Sequence, residues 1–253
     1  MLKSDFHVHS KEDWYDNFII KHSAKDIIRR AAKEKFEVMA LTHHNHVFYS
    51  NGLKSFAKKK GVLLIPGAEA TVEGCHVLHI GADNRHLAKV TDLASLERIK
   101  DEVVLIAAHP FFHLPICIGE RFFEHHRNFH ALEFTSFYTG SMMHWPLKAV
   151  NGNFRAAETA KKYGKALVGN SDCHRPYDFN ITFSWLDAEK NRESVLEALR
   201  KRRVQVESRP MAAHRFARRL LSATVKEKWL RMRDPTIKRI VDISEEPFFK
   251  KFK

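Results

Sequence analysis

The sequence predicts an α/β fold in which parallel β-α units build a sheet that is covered on both faces or closed into a barrel. Short apolar, β-branched runs alternate with helix-like segments along the first 200 residues, the order that such units require. Those runs are nearly continuous in apolar residues, as strands buried on both sides are. Four of them lead at once into polar groups: Thr42-His43-His44, Pro66-Gly67-Ala68-Glu69, His109-Pro110 and Asn170-Ser171-Asp172. Strand C-terminal ends are where barrels of this kind carry their chemistry.

Taken in order, residues 5–9 read as the first strand, and residues 23–34 as a helix with Ser23 at the N-cap. Residues 38–42 are a strand followed by a helix at 52–60. Two strands at 62–66 and 76–80 flank a turn at Glu73-Gly74. Residues 93–100 have a helical pattern, 103–108 a strand pattern, and the stretch beyond is rich in loop residues. A strand at 131–134, a helix at 154–163 and a strand at 166–169 follow, the last delivering Ser171-Asp172, and a helix at 192–202 closes this body. From Pro210 the pattern changes to two amphipathic helical stretches, 214–221 and 225–232, the second ended by Pro235. The expected division is a barrel over residues 1–207 with a basic, mostly helical extension over 208–253 packed on it.

An apolar fraction of 44% supports a sizeable core, and 29% charged residues is ordinary for a water-facing surface. No run approaches the ~20 apolar residues of a membrane span. The first strand begins so early that no room is left for an export signal. Cys75, Cys117 and Cys173 are odd in number and unpatterned, which argues against a disulfide framework and for a reducing compartment; the expected location is cytoplasmic. The net charge of +13 is concentrated in the tail, where residues 201–253 hold 16 Lys and Arg against 6 Asp and Glu. That segment suits nucleic acid, an anionic surface or an acidic partner, and suits equally a solvated helix face. Its closing mixture of Phe and Lys fits a membrane surface as well.

The chemistry is concentrated in histidines and acids. His7 and His9, and Asp172 and His174, are each spaced i, i+2, which on a strand points both side chains to one face. Two such pairs on different strands can converge on one polynuclear metal site. Nitrogen and carboxylate donors without thiolates suit Zn, Mn or Fe.

Six motifs in order resemble the PHP (polymerase and histidinol phosphatase) superfamily: Asp5-Phe6-His7-Val8-His9-Ser10, Ala40-Leu41-Thr42-His43-His44-Asn45, Ile65-Pro66-Gly67-Ala68-Glu69, His76-Val77-Leu78, Ala108-His109-Pro110 and Gly169-Asn170-Ser171-Asp172-Cys173-His174. The likeness covers about residues 3–207. It implies a distorted (β/α)7 TIM-like barrel and a metal-dependent phosphoesterase holding two or three divalent ions. The ligands it implies are His7, His9, Asp13, His44, Glu69, His76, His109, Asp172 and His174, with Glu69 bridging two metals; Asp16 is the alternative to Asp13. Hydrolysis would use a hydroxide at a di- or trinuclear centre, with Glu69, Asp172 and Arg175 in the catalytic machinery and Arg175 gripping phosphate. The substrate would be a small phosphomonoester, a nucleotide or an oligonucleotide. Glu133 is a candidate support for the ligands, Asp5 for a ligand imidazole, and His113 for substrate contact. His79, out of phase with His76, should face the opposite side of its strand, and Cys173 should point into the packing. One departure is His43, where the resemblance expects Asp before the ligand His44. Two other readings stand beside this one: a non-catalytic metal-binding barrel that acts through its basic tail, and amidohydrolase chemistry on a related barrel.

Overall fold

The computed structural model describes residues 1–112 and 114–221. The expectations for His113, for the helix at 225–232 and for the closing Phe/Lys residues therefore lie outside the described residues. The elements are β1 (Leu2–Asp5), α1 (Ala24–Lys33), β2 (Val38–Leu41), α2 (Asn51–Lys59), β3 (Leu63–Val72), β4 (Cys75–Ile80), α3 (Asn84–Ala88), β5 (Val104–Ala107), α4 (Arg121–His125), β6 (Ala131–Thr135), α5 (Gly152–Lys162), β7 (Ala166–Asn170), β8 (Thr182–Leu186), α6 (Arg192–Arg200), β9 (Val204–Ser208) and α7 (Ala213–Leu221). Ser23 caps α1 in a full capping box, accepting from the Asp26 backbone while the Asp26 carboxylate accepts from that of Ser23. Ser50 and Asn151 cap α2 and α5 with the side chain alone, accepting from the backbone N–H of Leu53 and Asn153.

Among the described residues the strands form one sheet, ordered β7-β6-β5-β4-β3-β2-β1-β8-β9. Pairs β1/β2, β2/β3, β5/β6 and β6/β7 are parallel. The expected all-parallel succession is broken at β4, antiparallel to both neighbours, and at β8, antiparallel to β1 and β9. The reason for the first break is local. Glu73-Gly74 makes a tight turn with both residues at positive φ (48° and 80°), so β3 runs on to Val72 and folds straight back as a hairpin. Strands β8 and β9 have no counterpart in the sequence reading, because Ser184 and the polar alternation of Val204–Ser208 mask their apolar content. The stretch read as helical at 93–100 forms only a short 3₁₀ turn, Ser95–Arg98.

Apolar residues of β2 to β8, among them Val38, Ile65, Leu78, Ile106, Val168 and Leu186, meet in one interior cluster closed by Val195, Leu196 and Leu199 of α6. Outside, α1 and α2 cover β2 and β3, and α4 and α5 cover the sheet around β5 and β6. The curled sheet closes where β7 meets β8 and β9. There the Ser184 hydroxyl donates to the Gly169 carbonyl (3.0 Å) and accepts from the Gly169 N–H (2.8 Å). The approach is close enough that only glycine fits: a Cβ on residue 169 would lie 2.7 Å from both the Phe183 carbonyl oxygen and Val206 Cγ1.

Past this seam the chain leaving β1 and the chain leaving β7 run side by side. His9 N–H donates to the Cys173 carbonyl (3.1 Å), and Cys173 N–H to that of His7 (3.2 Å). The strand expected at 5–9 lies earlier, at Leu2–Asp5, and of the expected residues only Asp5 is in it; His7 to His9 form this extended segment beyond its end. Barrel closure is what brings His7 and His9 against Asp172 and His174.

Candidate metal centre

His7, His9, Ser10, Thr42 and Glu69 are all buried at the C-terminal end of the barrel. Glu69 does not follow its strand, as expected, but sits inside the extended β3, where an isolated bridge pairs it with His44. The hairpin then sets His76 of β4 beside it.

One carboxylate organises the cluster. Glu69 Oε2 lies 3.2, 3.3 and 3.3 Å from Nε2 of His7, His9 and His44. Its other oxygen, Oε1, lies 2.7 Å from His76 Nδ1 and 3.2 Å from His109 Nε2. Asp172 Oδ1 is 3.4 Å from His7 Nε2 and 3.2 Å from His174 Nδ1. Despite these distances, His7 Nε2, His9 Nε2 and His76 Nδ1 have no hydrogen-bond partner. Buried nitrogens are ordinarily paired; these lie beside carboxylate oxygens without the geometry of a hydrogen bond. Donor atoms of His7/His9/Glu69, His9/Asp172/His174, His9/Asp13/His44 and His44/Glu69/His76 each group within 4.8 Å. That combination of orphaned nitrogens and convergent acids fits divalent cations.

The two candidate acids after the first motif occupy different places. Asp13 Oδ2 accepts from Nδ1 of His9 (2.8 Å) and of His44 (2.9 Å), and from the His44 backbone (3.0 Å). It stands behind both rings and turns their Nε2 atoms toward Glu69, the arrangement that fixes tautomer and orientation in metal-binding histidines. Asp16 Oδ2 lies 2.8 Å from His174 Nε2 and 3.9 Å from His44 Nδ1. Glu133 plays the supporting part on the other side: it accepts from His7 Nδ1 (2.7 Å), the His109 backbone (2.7 Å) and Asn170 Nδ2 (2.9 Å). Asp5 does not reach an imidazole; its carboxylate accepts from the backbone N–H of His7 and Ser171. Burial pushes its pKa up to about 7. His109 and Asp172 both have positive φ (31° and 49°), backbone strain of the kind that collects at functional sites.

Burial alone would drive the imidazoles neutral, but the acids reverse this for several of them. His44 is raised to about 9, with Glu69 and Asp13 outweighing desolvation. His109 is raised to about 10, by hydrogen bonding toward Cys117 and Glu69. His7 is held well above the usual range by Glu133, Glu69 and Asp172. Glu69 is correspondingly held well below its usual value by His76, His7 and His44.

Nearby residues complete the picture. His43 is buried, donates or accepts at Nε2 with Ser10 Oγ (2.8 Å), and stacks on Phe48 at 5.0 Å. Burial lowers its pKa to about 3, so it is neutral. Cys173 points into the packing and burial raises its thiol. His79 faces away from His76, buried on the outer side of the sheet. The Arg175 guanidinium lies over the Tyr177 ring at 6.0 Å. Two groups here went unread in the sequence. Asn170 ties Glu133 to the Phe6 N–H (2.9 Å), a role its place inside the last motif could have suggested. Arg219 of α7 donates to Asp172 Oδ2 (3.0 Å), with no sequence signal to announce it. No helix among the described residues is long and apolar enough to cross a membrane.

A PHP-associated family model matches residues 151–204, the stretch from α5 to the start of β9. An uncharacterised protein of Methanocaldococcus jannaschii, MJ1587, is 27% identical over 132 residues, which are 49% of this chain and 76% of that protein. A two-domain protein from Bacteroides vulgatus, described as containing a predicted PHP-like metal-dependent phosphoesterase, superposes with a TM-score of 0.59 at 19% identity. That match covers 82% of this chain, which spans 64% of the two-domain protein. PsfC from Pseudomonas syringae superposes at 0.57 with 15% identity, over 90% of this chain and 98% of PsfC. The structural likenesses are likenesses of fold. The chain thus has the fold of PHP-like proteins over most of its length and, over residues 151–204, a segment similar to the PHP-associated family.

Proposed function

We propose that the protein is a metal-dependent phosphoesterase that hydrolyses a phosphate ester at a di- or trinuclear centre. The observation that carries this is the pairing of Glu69, whose two oxygens face different imidazoles, with buried nitrogens that have no hydrogen-bond partner. One position would be held by His7, His9, Glu69 and Asp172, and a second by Glu69, His76 and His109. A third would lie among Asp16, His44 and His174, with Asp13 held behind the His9 and His44 rings. Zn, Mn or Fe bound there would supply a nucleophile from water at neutral pH and polarise a phosphoryl oxygen. The chain's own groups do the rest. Glu133 and Asp13 hold the Nδ1 atoms of His7, His9 and His44, so that Nε2 is presented. Burial of the floor excludes bulk water and strengthens each electrostatic contact. Arg175 beside the last ligand is a further candidate for phosphate contact. The substrate is a small phosphomonoester or a nucleotide or oligonucleotide, and the basic tail favours a polyanion.

Metal analysis of the purified chain tests the reading first, with about two to three equivalents of Zn, Mn or Fe expected per chain. A p-nitrophenyl phosphomonoester, its diester and short single-stranded oligonucleotides are then compared in added Mn²⁺. Glu69→Ala and Asp172→Ala should each abolish turnover. Substoichiometric metal, or turnover that survives either substitution, refutes the proposed centre.

A further inference from the structure

We propose that Arg219, carried over the metal centre by α7, is a ligand of the substrate's phosphate. The inference rests on the phosphoesterase reading and deepens it. The side chains of the cluster are not equally enclosed. Those of His7, His9 and Asp13 are 0% exposed and Glu69 2%, whereas Asp172 is 18%, His174 22% and His109 11% exposed. The first set forms a floor and the second the rim of a mouth, so a substrate must approach from the side of Asp172, His174 and His109.

Arg219 is built into that rim. Among the described side chains of α7 most are exposed, whereas Arg219 is buried, 8% exposed overall. The helix leans on the barrel through Phe216, stacked on Phe137 at 4.5 Å, and the Arg219 guanidinium passes over the same ring at 5.4 Å. Its Nη2 donates to both Oδ2 (3.0 Å) and the carbonyl oxygen (3.1 Å) of Asp172, and Nη1 to Ser136 Oγ (3.0 Å). The other oxygen of the same Asp172 carboxylate faces the imidazoles of His7 and His174. The guanidinium therefore sits one carboxylate away from the space where the cations would lie.

A fixed cation beside a site for dications is electrostatically unfavourable unless anions lie between them. Asp172 supplies one such anion, and buried Asp178, 3.9 Å from Nη1 and without a hydrogen-bond partner of its own, supplies another. A phosphate at the mouth would be a third, and would turn the repulsion into attraction. Guanidinium N–H groups match phosphate oxygens in a way that an ammonium does not, and a phosphate at the mouth would share Arg219 with Asp172 and Ser136. The chain segment that carries this group lies after the matched PHP-associated stretch.

The test uses full-length, metal-loaded protein and inorganic phosphate as the probe, titrated calorimetrically, with metal content measured on every sample. Arg219→Ala should weaken phosphate binding by roughly 10- to 100-fold, the range for a lost hydrogen bond to a charged group, with metal content unchanged. Arg219→Lys, which keeps the charge and the helix contact, should lose part of that affinity and serves where the alanine variant fails to fold. Arg218→Ala, exposed on the same helix, should bind phosphate as the parent does. The inference is overturned if Arg219→Ala and Arg219→Lys bind phosphate as tightly as the parent. It is also overturned if they lose metal in step with phosphate, since Arg219 would then support Asp172 alone. A parent protein that holds its metals but neither binds phosphate nor cleaves phosphoesters sinks the underlying reading instead, and is told apart because no variant is needed to see it.

Discussion

A single methyl group at the barrel seam should reach the metal centre. Gly169→Ala places a Cβ 2.7 Å from the Phe183 carbonyl and from Val206 Cγ1, so β7 must part from β8 and β9 by roughly half an ångström or more to restore ordinary contact. Overpacking of that kind costs about 1–3 kcal/mol. The same displacement stretches both hydrogen bonds between Ser184 Oγ and Gly169, each contributing about 0.5–1.5 kcal/mol. The combined loss is about 2–6 kcal/mol, which for a chain of this size lowers the melting temperature by roughly 4–24 °C. Ser184→Ala removes the hydrogen bonds without the clash and should fall in the lower half of that range. Function follows because the seam sets how the segment of His7 and His9 lies against that of Asp172 and His174, joined by the two backbone bonds at Cys173. Refolded Gly169→Ala should therefore take up metal at least ~10-fold more weakly, the effect expected when ligand orientation is disturbed. Differential scanning calorimetry and a competitive metal titration measure the two effects. A variant that melts within about 2 °C of the parent and binds metal as tightly would refute the claim that seam closure positions the ligands.

Three further outcomes follow from the same geometry. Glu133→Gln keeps the shape but loses the carboxylate that holds His7 Nδ1 and the His109 backbone, and should reduce metal affinity by roughly 10- to 100-fold without abolishing the fold; unchanged affinity in a chelator competition would dismiss that role. Removing metal with a chelator should lower stability by about 2.7 kcal/mol relative to protein at a hundredfold excess over Kd, read as a melting shift of roughly 5–10 °C; a chelator-insensitive melt would contradict a preformed centre. His79, buried with neither ring nitrogen hydrogen-bonded, has its pKa lowered by burial to about 3. The unfolded chain takes up that proton below pH ~6.5 and the folded one does not, so stability falls as pH drops through this window, by about 2 kcal/mol between pH 6.5 and 5. His79→Leu should remove that part of the slope in urea titrations at the two pH values, and a variant with the parent's full slope would show that His79 is not its source.

Much of the side-chain cluster was legible because its residues announce themselves locally. The i, i+2 pairs His7/His9 and Asp172/His174 carry a strand period that survives although His7 and His9 lie just beyond β1. The strand-then-polar pattern located His44 and His109 for the same reason. Glu69 was found for a reason only partly correct: Pro66-Gly67 reads as the end of a strand, yet in the sheet both are ordinary members of β3, because the positive-φ turn at 73–74 lets the strand continue into a hairpin. Local propensity could not foresee that, since the pairing partner that overrides the break lies across the turn.

What the sequence withheld is whatever depends on tertiary distance alone. Asp13 and Asp16 are three residues apart in one loop, and nothing in their spacing says that one meets the Nδ1 atoms of His9 and His44 while the other meets His174. Arg175 was conspicuous because it adjoins the candidate ligand His174, whereas Arg219 reaches Asp172 across 47 residues from a helix that reads only as amphipathic and basic. Periodicity identifies the face of a helix that meets the barrel, here Phe216, but a long side chain can leave that face and travel under its own helix. A rim is the part of such a site where this happens most, because floor residues are fixed by strands that repeat every two residues. Under the proposal for Arg219, the group that meets the substrate's phosphate is one that a pattern is least able to reveal, and it lies beyond residue 207, where the six motifs and the likeness they carry have already ended.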